Sequence, residues 1–493
     1  MSTKFNFLHF PLELRLHVYR DYFQLDGGYV YDAKSDKLKT SDDQPIDLSL
    51  MFTCRTIANE TRNMPLSLNA VTFWTLYRED WRSLAGCFNV VATYYRHLAG
   101  DLVLHLAEFM TPEMYEQYAL KYPDFANQLE EVSRNHRLGW VRYNNRRANE
   151  VIAAESGSAD EQTRVEVERL TGIRCCGSLG RFADHYVNLH LDQRQHHWSD
   201  GFSRAHRDRD SYSHPSNTWF GSDSVVRDAL SYCLRLIADK QSVQFANHLR
   251  AIFPHWTGPD IVQDFLSLRF DNWAIPSESD VKKAIRLLGI DGIWEYPDKW
   301  HYDGPPPSPD EPWEHSSDED DSDSGSHNDQ DDEDAYGPDT NVYIPSGLHC
   351  REKIRFSATA NAIRFLKRIP GQCIWLKHLV LHEDFDSVND PHTHARGLAP
   401  FVQENPSLQI LRRVSLLDCI IGILFPPSLL MRILQRGERI NLQPQWIRYS
   451  LSRNIGYWIR DALVVKDVGI PAKSFTLLLQ AGSHQDFCTD LLQ

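Results

Sequence analysis

One short stretch of the sequence groups six side chains that could bind a metal ion or transfer protons. They are His382, Glu383, Asp384, Asp390, His392 and His394. The stretch follows an apolar run, and the end of a strand is a common position for metal ligands and general bases. The H-x-H spacing of the last two histidines would aim both rings the same way on an extended segment.

Two interpretations of this stretch are open. One is a metal-dependent hydrolase, whose ligands would be His382, Asp384, His392 and His394. The other is a solvated polar turn. No second ligand-bearing motif supports the metal site, and the nine cysteines include no C-x-x-C pair, so the sequence predicts no metal and no other cofactor.

Signatures of common catalytic folds are missing from the sequence. It contains no P-loop, G-x-G-x-x-G, G-x-S-x-G, H-E-x-x-H or kinase signature. We therefore predict that the protein is not an enzyme. Scattered cysteines are typical of reduced thiols, which predicts a cytoplasmic or nuclear protein.

The net negative charge of the chain comes from one segment. Of the 67 Asp and Glu residues, 15 lie in residues 303–340, which contain no Lys or Arg, and the rest of the chain carries 52 acids against 52 bases. A formally neutral body lacks the concentrated basic face that captures nucleic acid, so we expect no nucleic-acid partner. The segment is poor in aliphatic residues and is predicted to be a disordered linker. Ser316 and Ser317 precede its acidic run and are candidate phosphorylation sites.

No membrane segment is predicted. The most apolar run, Cys419–Phe425, is stopped by Pro426 well short of the roughly 20 residues that a spanning helix needs. The first residues lack the long apolar stretch of a secretory signal.

Periodicity predicts the elements that would position these groups. In the first 76 residues they are a helix over Pro11–Phe23, a helix from Asp47 to Pro65 and a strand over Val71–Leu76. Residues 77–302 read as mostly helical, with a strand-like alternation at Asp101–Ala107, a polar loop at 194–217, and helices from Ser224, over Gln244–Phe253 and over Asp280–Leu288. After the linker we expect a helix over Ala358–Ile369, a strand over Leu376–His382, a helix over Ala395–Gln403 and a strand over Leu408–Leu417.

A leucine pattern recurs in the two C-terminal strands. Leu376, Leu379 and Leu381 match L-x-x-L-x-L, and the same pattern starts again at Leu411. Two units are fewer than a solenoid needs, so both a leucine-rich-repeat-like layer and a simple βαβ pair fit. The predicted fold class is α+β, with segments at 5–76, 77–302, 303–340 and 341–493.

Two stretches near the N-terminus carry a family resemblance. The sequence FLHFPLELRLHVY begins at Phe7, and TCRTIANETR, which begins at Thr53, is followed by NAVTF from Asn69. Residues 5–76 resemble the two-E-x-R domain of fungal F-box-like proteins, with Phe10 in place of the usual leucine before proline. Residues 357–413 are similar to a region found in large fungal proteins of this type, and that similarity implies no activity.

The resemblance implies a partner. An F-box is a small helical module that docks on a Skp-type adaptor, while the rest of the chain presents a substrate to a cullin ubiquitin ligase. The implied docking residues are Leu12, Leu16 and Tyr19, although the same side chains could pack internally. The E-x-R pairs, which are Glu13 with Arg15 and Glu60 with Arg62, are expected to form ion pairs across elements, because residues i and i+2 of a helix point apart.

The predicted function is therefore protein–protein recognition, as a substrate-recognition subunit of a Skp–cullin–F-box ubiquitin ligase. A non-catalytic scaffold, which uses residues 5–76 only as a folding unit, is the first alternative, and the metal-dependent hydrolase is the second. The sequence leaves the substrate and the oligomeric state open.

Overall fold

The computed structural model describes residues 7–130, 223–253, 256–289, 293–295, 353–421, 444–483 and 485–486. The polar loop at 194–217, the acidic segment at 303–340 and the two candidate phosphorylation sites, Ser316 and Ser317, lie outside these residues.

The helices follow in chain order. They are α1 (Leu12–Phe23), α2 (Arg55–Thr61), α3 (Met64–Leu68), α4 (Arg82–Leu106), α5 (Pro112–Lys121), α6 (Asp223–Lys240), α7 (Ser242–Ile252), α8 (Ile261–Ser267), α9 (Glu278–Leu287), α10 (Ala358–Arg368), α11 (Ala399–Glu404) and α12 (Pro444–Val464). None of the described helices is long and apolar enough to cross a membrane.

The strands form one six-stranded sheet, in the order β2-β1-β3-β4-β5-β6. They are β1 (Tyr29–Asp32), β2 (Lys37–Thr40), β3 (Ala70–Trp74), β4 (His378–Glu383), β5 (Gln409–Ser415) and β6 (Phe475–Gln480). β1 and β2 are an antiparallel hairpin, and every other neighbouring pair is parallel. The chain therefore mixes helices and strands, as predicted, with a sheet that is mainly parallel.

The sheet joins segments that are far apart in the sequence. Ala70 of β3 lies opposite His378 of β4, and Trp74 lies opposite His382. Residues 5–76 and 341–493, which the sequence predicts as separate segments, thus supply neighbouring strands of one sheet. The N-terminal helices are attached to this sheet through β3.

The two faces of the sheet differ in burial. One face supplies the core beneath α10, α11 and α12, and its buried side chains include Tyr29, Tyr31, Val71, Phe73, Leu379, Leu381, Ile410 and Val414. The side chains that alternate with them are half-buried or exposed. This alternation is the period of two that an extended strand imposes.

The predicted strand at Asp101–Ala107 is wrong. Asp101–Leu106 form the end of α4, a 25-residue helix, and Ala107 begins a 3₁₀ turn, while Leu102, Val103 and Leu106 are buried in the helical core. These residues recur at helical spacing as well as in alternation, so a short window could not separate the two periods. The helices predicted from Ser224, over Gln244–Phe253 and over Asp280–Leu288 correspond to α6, α7 and α9.

Other boundaries also shift. The helix predicted from Asp47 to Pro65 is split into a 3₁₀ turn over Ser49–Phe52 and α2, and Pro65 lies in the first turn of α3. The helix predicted over Ala395–Gln403 is a 3₁₀ helix over Pro391–Leu398 followed by α11. The two leucine patterns start at Leu376 and Leu411, but these residues are not opposite each other in the sheet. Leu411 lies opposite Val380, so the repeated pattern does not set the strand register.

Candidate functional site

The predicted histidine and carboxylate cluster lies at the carboxyl edge of the sheet, where β4 ends at Glu383. Ligands of open, parallel α/β sheets bind at this edge. In this sheet the Glu383 carboxylate itself occupies the edge, and its side chain is fully buried.

Glu383 is held by donors from two elements. Its carboxylate accepts hydrogen bonds from Arg412 Nη2 at 2.7 Å, from Arg412 Nε at 3.1 Å and from the Thr359 hydroxyl at 2.6 Å. It also accepts from the backbone N–H groups of Ala358 and Thr359, at 2.9 and 3.3 Å, in the first turn of α10. Burial works to raise the pKa of Glu383, but the Arg412 charge and these hydrogen bonds outweigh it and lower the pKa.

Arg412 closes the site from β5. Its guanidinium donates to the carbonyl oxygens of Pro391 at 2.6 Å and His392 at 3.2 Å, and it lies 4.6 Å from the ring centre of Trp458. Sequence reasoning missed Arg412, although a signal was present. It alternates in phase with Ile410 and Val414, so an arginine stood at a position that faces the core.

His394 is buried and hydrogen-bonded through both ring nitrogens. Its Nε2 lies 2.9 Å from the Asn389 carbonyl oxygen, so Nε2 carries the proton and Nδ1 accepts from the Ser357 hydroxyl at 2.6 Å. Burial, followed by the Arg412 charge, lowers the pKa of His394 to about 3. Ser357 also accepts from the Ala360 N–H as the N-cap of α10, so this serine and histidine connect elements in the core and are shielded from solvent.

The remaining members of the cluster point to other partners. The His392 ring stacks on Tyr457 of α12, with its Nε2 3.5 Å from Asp461, and His382 stacks on Trp74 with the ring centres 3.9 Å apart. Asp384 accepts from the Thr75 N–H at 3.2 Å, and Asp390 pairs with Arg96 of α4.

The metal site of the alternative hydrolase interpretation, with His382, Asp384, His392 and His394 as ligands, is therefore not assembled. Among the residues that the structure describes, no group of three or more His, Cys, Asp or Glu side chains is placed to hold a metal ion. The physical reason is that each side chain is already engaged in packing or hydrogen bonding to a different element.

The E-x-R sequences pair across elements. Arg15 of α1 donates to Glu60 of α2 from Nη2 at 2.6 Å and from Nε at 3.1 Å, and the Tyr19 hydroxyl donates to the same carboxylate at 2.8 Å. Hydrogen bonding to Arg15 lowers the pKa of Glu60. Glu13 and Arg62, the other members of the two sequences, are exposed.

The three implied docking residues differ in environment. Tyr19 is fully buried, Leu16 is half-buried against the cluster of Tyr19, Phe23 and Ile57, and Leu12 is 43% exposed. The opposite side of α1 carries the exposed residues Leu14 at 50% and Val18 at 48%. Tyr19 is thus a core residue, and the exposed apolar stripe of α1 lies on the other face.

Comparisons with protein-family models, with curated proteins and with solved structures each return no match. They therefore show no family for this chain.

Proposed function

We propose that this protein recognises other proteins and that its N-terminal helices act as the docking module of a Skp–cullin–F-box ubiquitin ligase. The observation that carries the proposal is the exposed stripe of α1, formed by Leu14 and Val18 one helical turn apart. Large apolar side chains left in water on successive turns are typical of a helix that buries them against a partner.

Contacts on the buried face of α1 fix the helix in place, so that its exposed stripe is available to a partner in the folded protein. Tyr19 and Phe23 anchor one face of α1 in the core, and the Arg15 to Glu60 ion pair fixes its rotation relative to α2. Pre-ordering a docking helix removes part of the entropic cost of binding. Tyr22, which is 37% exposed, continues the stripe, and its hydroxyl donates to Asp47.

The carboxyl edge of the sheet also supports a recognition role over a catalytic one. Glu383 and Arg412 satisfy each other there, and His394 is hydrogen-bonded on both sides. A general base must reach a substrate proton, and a nucleophile must be exposed to its substrate. These groups instead stabilise the contacts between β4, β5 and α10.

The test is co-purification of the full chain with a purified fungal Skp-type adaptor. The Leu14→Asp/Val18→Asp double variant should lose the adaptor, because the substitutions place charge in the docking face. The matched control is Leu120→Asp on α5, a substitution at a leucine that is 88% exposed, and this variant should bind as the parent does. Circular dichroism and the thermal midpoint of each variant verify that the fold is kept.

The scaffold is the second candidate function, and one observation favours it. The N-terminal helices are joined to the sheet through β3, which pairs with β4 along five residues of each strand. A segment built into the fold in this way could serve the fold alone. If the parent fails to bind the adaptor, the ligase proposal is abandoned and the scaffold remains.

A further inference from the structure

Four arginines and two aspartates form a cluster between the helical core and the 3₁₀ helix over Pro391–Leu398. The arginines are Arg96 of α4, Arg227 of α6, Arg269 after α8 and Arg396 of the 3₁₀ helix, and the aspartates are Asp228 of α6 and Asp390. Their side chains are all between 5% and 30% exposed. We call this set the arginine cluster, and it is mostly shielded from solvent.

The two aspartates are each engaged by arginines. Asp228 accepts from Nη2 of Arg269 and from Nη2 of Arg396, at 2.6 Å in both cases and at a different carboxylate oxygen for each. Asp390 pairs with Arg96 through its Oδ2. Four guanidinium groups thus share two carboxylates within the described part of the chain, and positive charge is in excess.

Arg227 is the member whose charge is least compensated. Its nearest carboxylate oxygen is Asp390 Oδ2, which lies 3.9 Å from Nη1 and is already bonded to Arg96. The Arg227 guanidinium donates no hydrogen bond to the described residues, although its side chain is only 13% exposed. Burial, followed by the Arg96 charge, lowers the pKa of Arg227 to about 9. A guanidinium held in this way should favour an anion from solution.

The two halves of the cluster are close enough to act on each other. The pKa of Arg227 responds to the charges of Arg269 and Asp228 as well as to those of Arg96 and Asp390. Arg269 and Asp228 are the most exposed members, at 24% and 30%, so the cluster is accessible to solvent on their side. An anion that enters there meets Arg269 first and then Arg227.

We propose that the arginine cluster binds the phosphate group of a small ligand, with Arg227 as its principal donor. A phosphate monoester carries a charge of about −1.5 to −2 at pH 7, which matches the two guanidinium groups in excess. The planar guanidinium fork is suited to donating two parallel hydrogen bonds to phosphate oxygens. Because most of the cluster is shielded, a small phosphate ester fits it better than an extended polyanion does.

Calorimetric titration of the full chain with inorganic phosphate tests the shared chemistry, and O-phosphoserine and adenosine monophosphate then compare two sources of the group. Phosphate should bind saturably to the parent. Arg227→Met keeps the aliphatic packing and should weaken binding at least about tenfold, the scale of losing a charge-assisted hydrogen bond. Arg227→Lys should retain part of the affinity, because it keeps the charge without the fork.

The matched control is Arg235→Met, at an exposed arginine two turns further along α6, and this variant should bind phosphate as the parent does. The Leu14→Asp/Val18→Asp variant should also bind normally, which separates this site from the adaptor proposal. Thermal midpoints in chloride verify that each variant is folded.

Three results would overturn the inference. One is the absence of phosphate binding by the folded parent. Another is equal binding by Arg227→Met and the parent. The third is an equal loss of affinity in Arg235→Met, which would reduce the effect to the general charge of α6.

Discussion

Nη2 of Arg15 lies 2.6 Å from Oε1 of Glu60, so the arginine of the first E-x-R sequence is bonded to the glutamate of the second. Neither E-x-R sequence could pair within itself, because residues two apart on a helix diverge. The pair instead locks α1 against α2. Its consequence for function is that Tyr19 is turned into the core and Leu14 and Val18 are turned to solvent.

The donors around Glu383, which are Arg412, the Thr359 hydroxyl and the N–H groups of Ala358 and Thr359, should bind a small anion when the Glu383 carboxylate is removed. Glu383→Ala removes the carboxylate acceptor of Arg412 Nε, of two backbone N–H groups and of the Thr359 hydroxyl, while Arg412 keeps its bonds to the Pro391 and His392 carbonyl oxygens and loses its anionic partner. Removing one partner of a buried ion pair costs about 3–5 kcal/mol of unfolding free energy. Formate should recover part of that loss by binding the folded state.

The measurement is the thermal midpoint in sodium formate and in sodium chloride at equal ionic strength. The Glu383→Ala variant should be more stable in formate, and the parent should be indifferent. Adding Arg412→Met to the variant removes the cation and should abolish the difference. Equal thermal midpoints of Glu383→Ala in the two salts would contradict anion binding by the donors around Glu383.

His394 should make the protein less stable in mild acid. The pKa of His394 falls from the ordinary 6.5 to about 3 in the folded protein, so between these pH values the imidazole is protonated in the unfolded chain and neutral in the folded one. The contribution of neutral His394 to the unfolding free energy is therefore complete above pH 6.5 and is lost as the pH falls toward 3. The expected slope from this one group is about 1.4 kcal/mol per pH unit.

Urea unfolding between pH 7 and pH 5 tests this dependence. The His394→Gln variant, which can still donate to the Asn389 carbonyl, should show a shallower loss of unfolding free energy than the parent. His382→Gln should change the slope in the same direction, because the pKa of His382 is also lowered. Parallel curves for the parent and His394→Gln would exclude His394 as the source.

Much of the local structure can be read from the sequence, and the reason is visible in particular elements. α10 spans Ala358–Arg368 against a predicted Ala358–Ile369, because a Ser357 cap precedes one clear apolar stripe. Strands β4 and β5 likewise lie close to their predicted limits, with shifts of one or two residues at each end.

The long-range arrangement could not be read in the same way. The pairing of β3 with β4 depends on contacts between residues some 300 positions apart, and no local period encodes them. The cluster of histidines was visible, but their partners were not. Ser357 for His394, Asp461 for His392 and Trp74 for His382 come from three different elements.

Asn389 is a position where a substitution should stabilise the fold. It adopts a left-handed backbone with φ of 63°, and its buried side-chain amide has no hydrogen-bond partner among the described residues. Asn389→Gly relieves the conformational cost and removes the unpaired polar group, and should raise the unfolding free energy by about 1 kcal/mol.

The neighbouring residue supplies the control. Asp390 has φ of 56° but is paired with Arg96 and lies 3.9 Å from Arg227, so Asp390→Gly should destabilise the protein although it relieves the same backbone conformation. Urea unfolding of both variants compares the two effects. A loss of stability in Asn389→Gly would show that its side chain contributes to the fold.

The most direct test of the central claim is a calorimetric titration of the full chain with a purified fungal Skp-type adaptor. The account predicts saturable binding to the parent and to Leu120→Asp, and a loss of affinity of at least about 100-fold in Leu14→Asp/Val18→Asp, the scale of losing a central apolar contact. The absence of binding to a folded parent, or equal binding by the double variant, would contradict it.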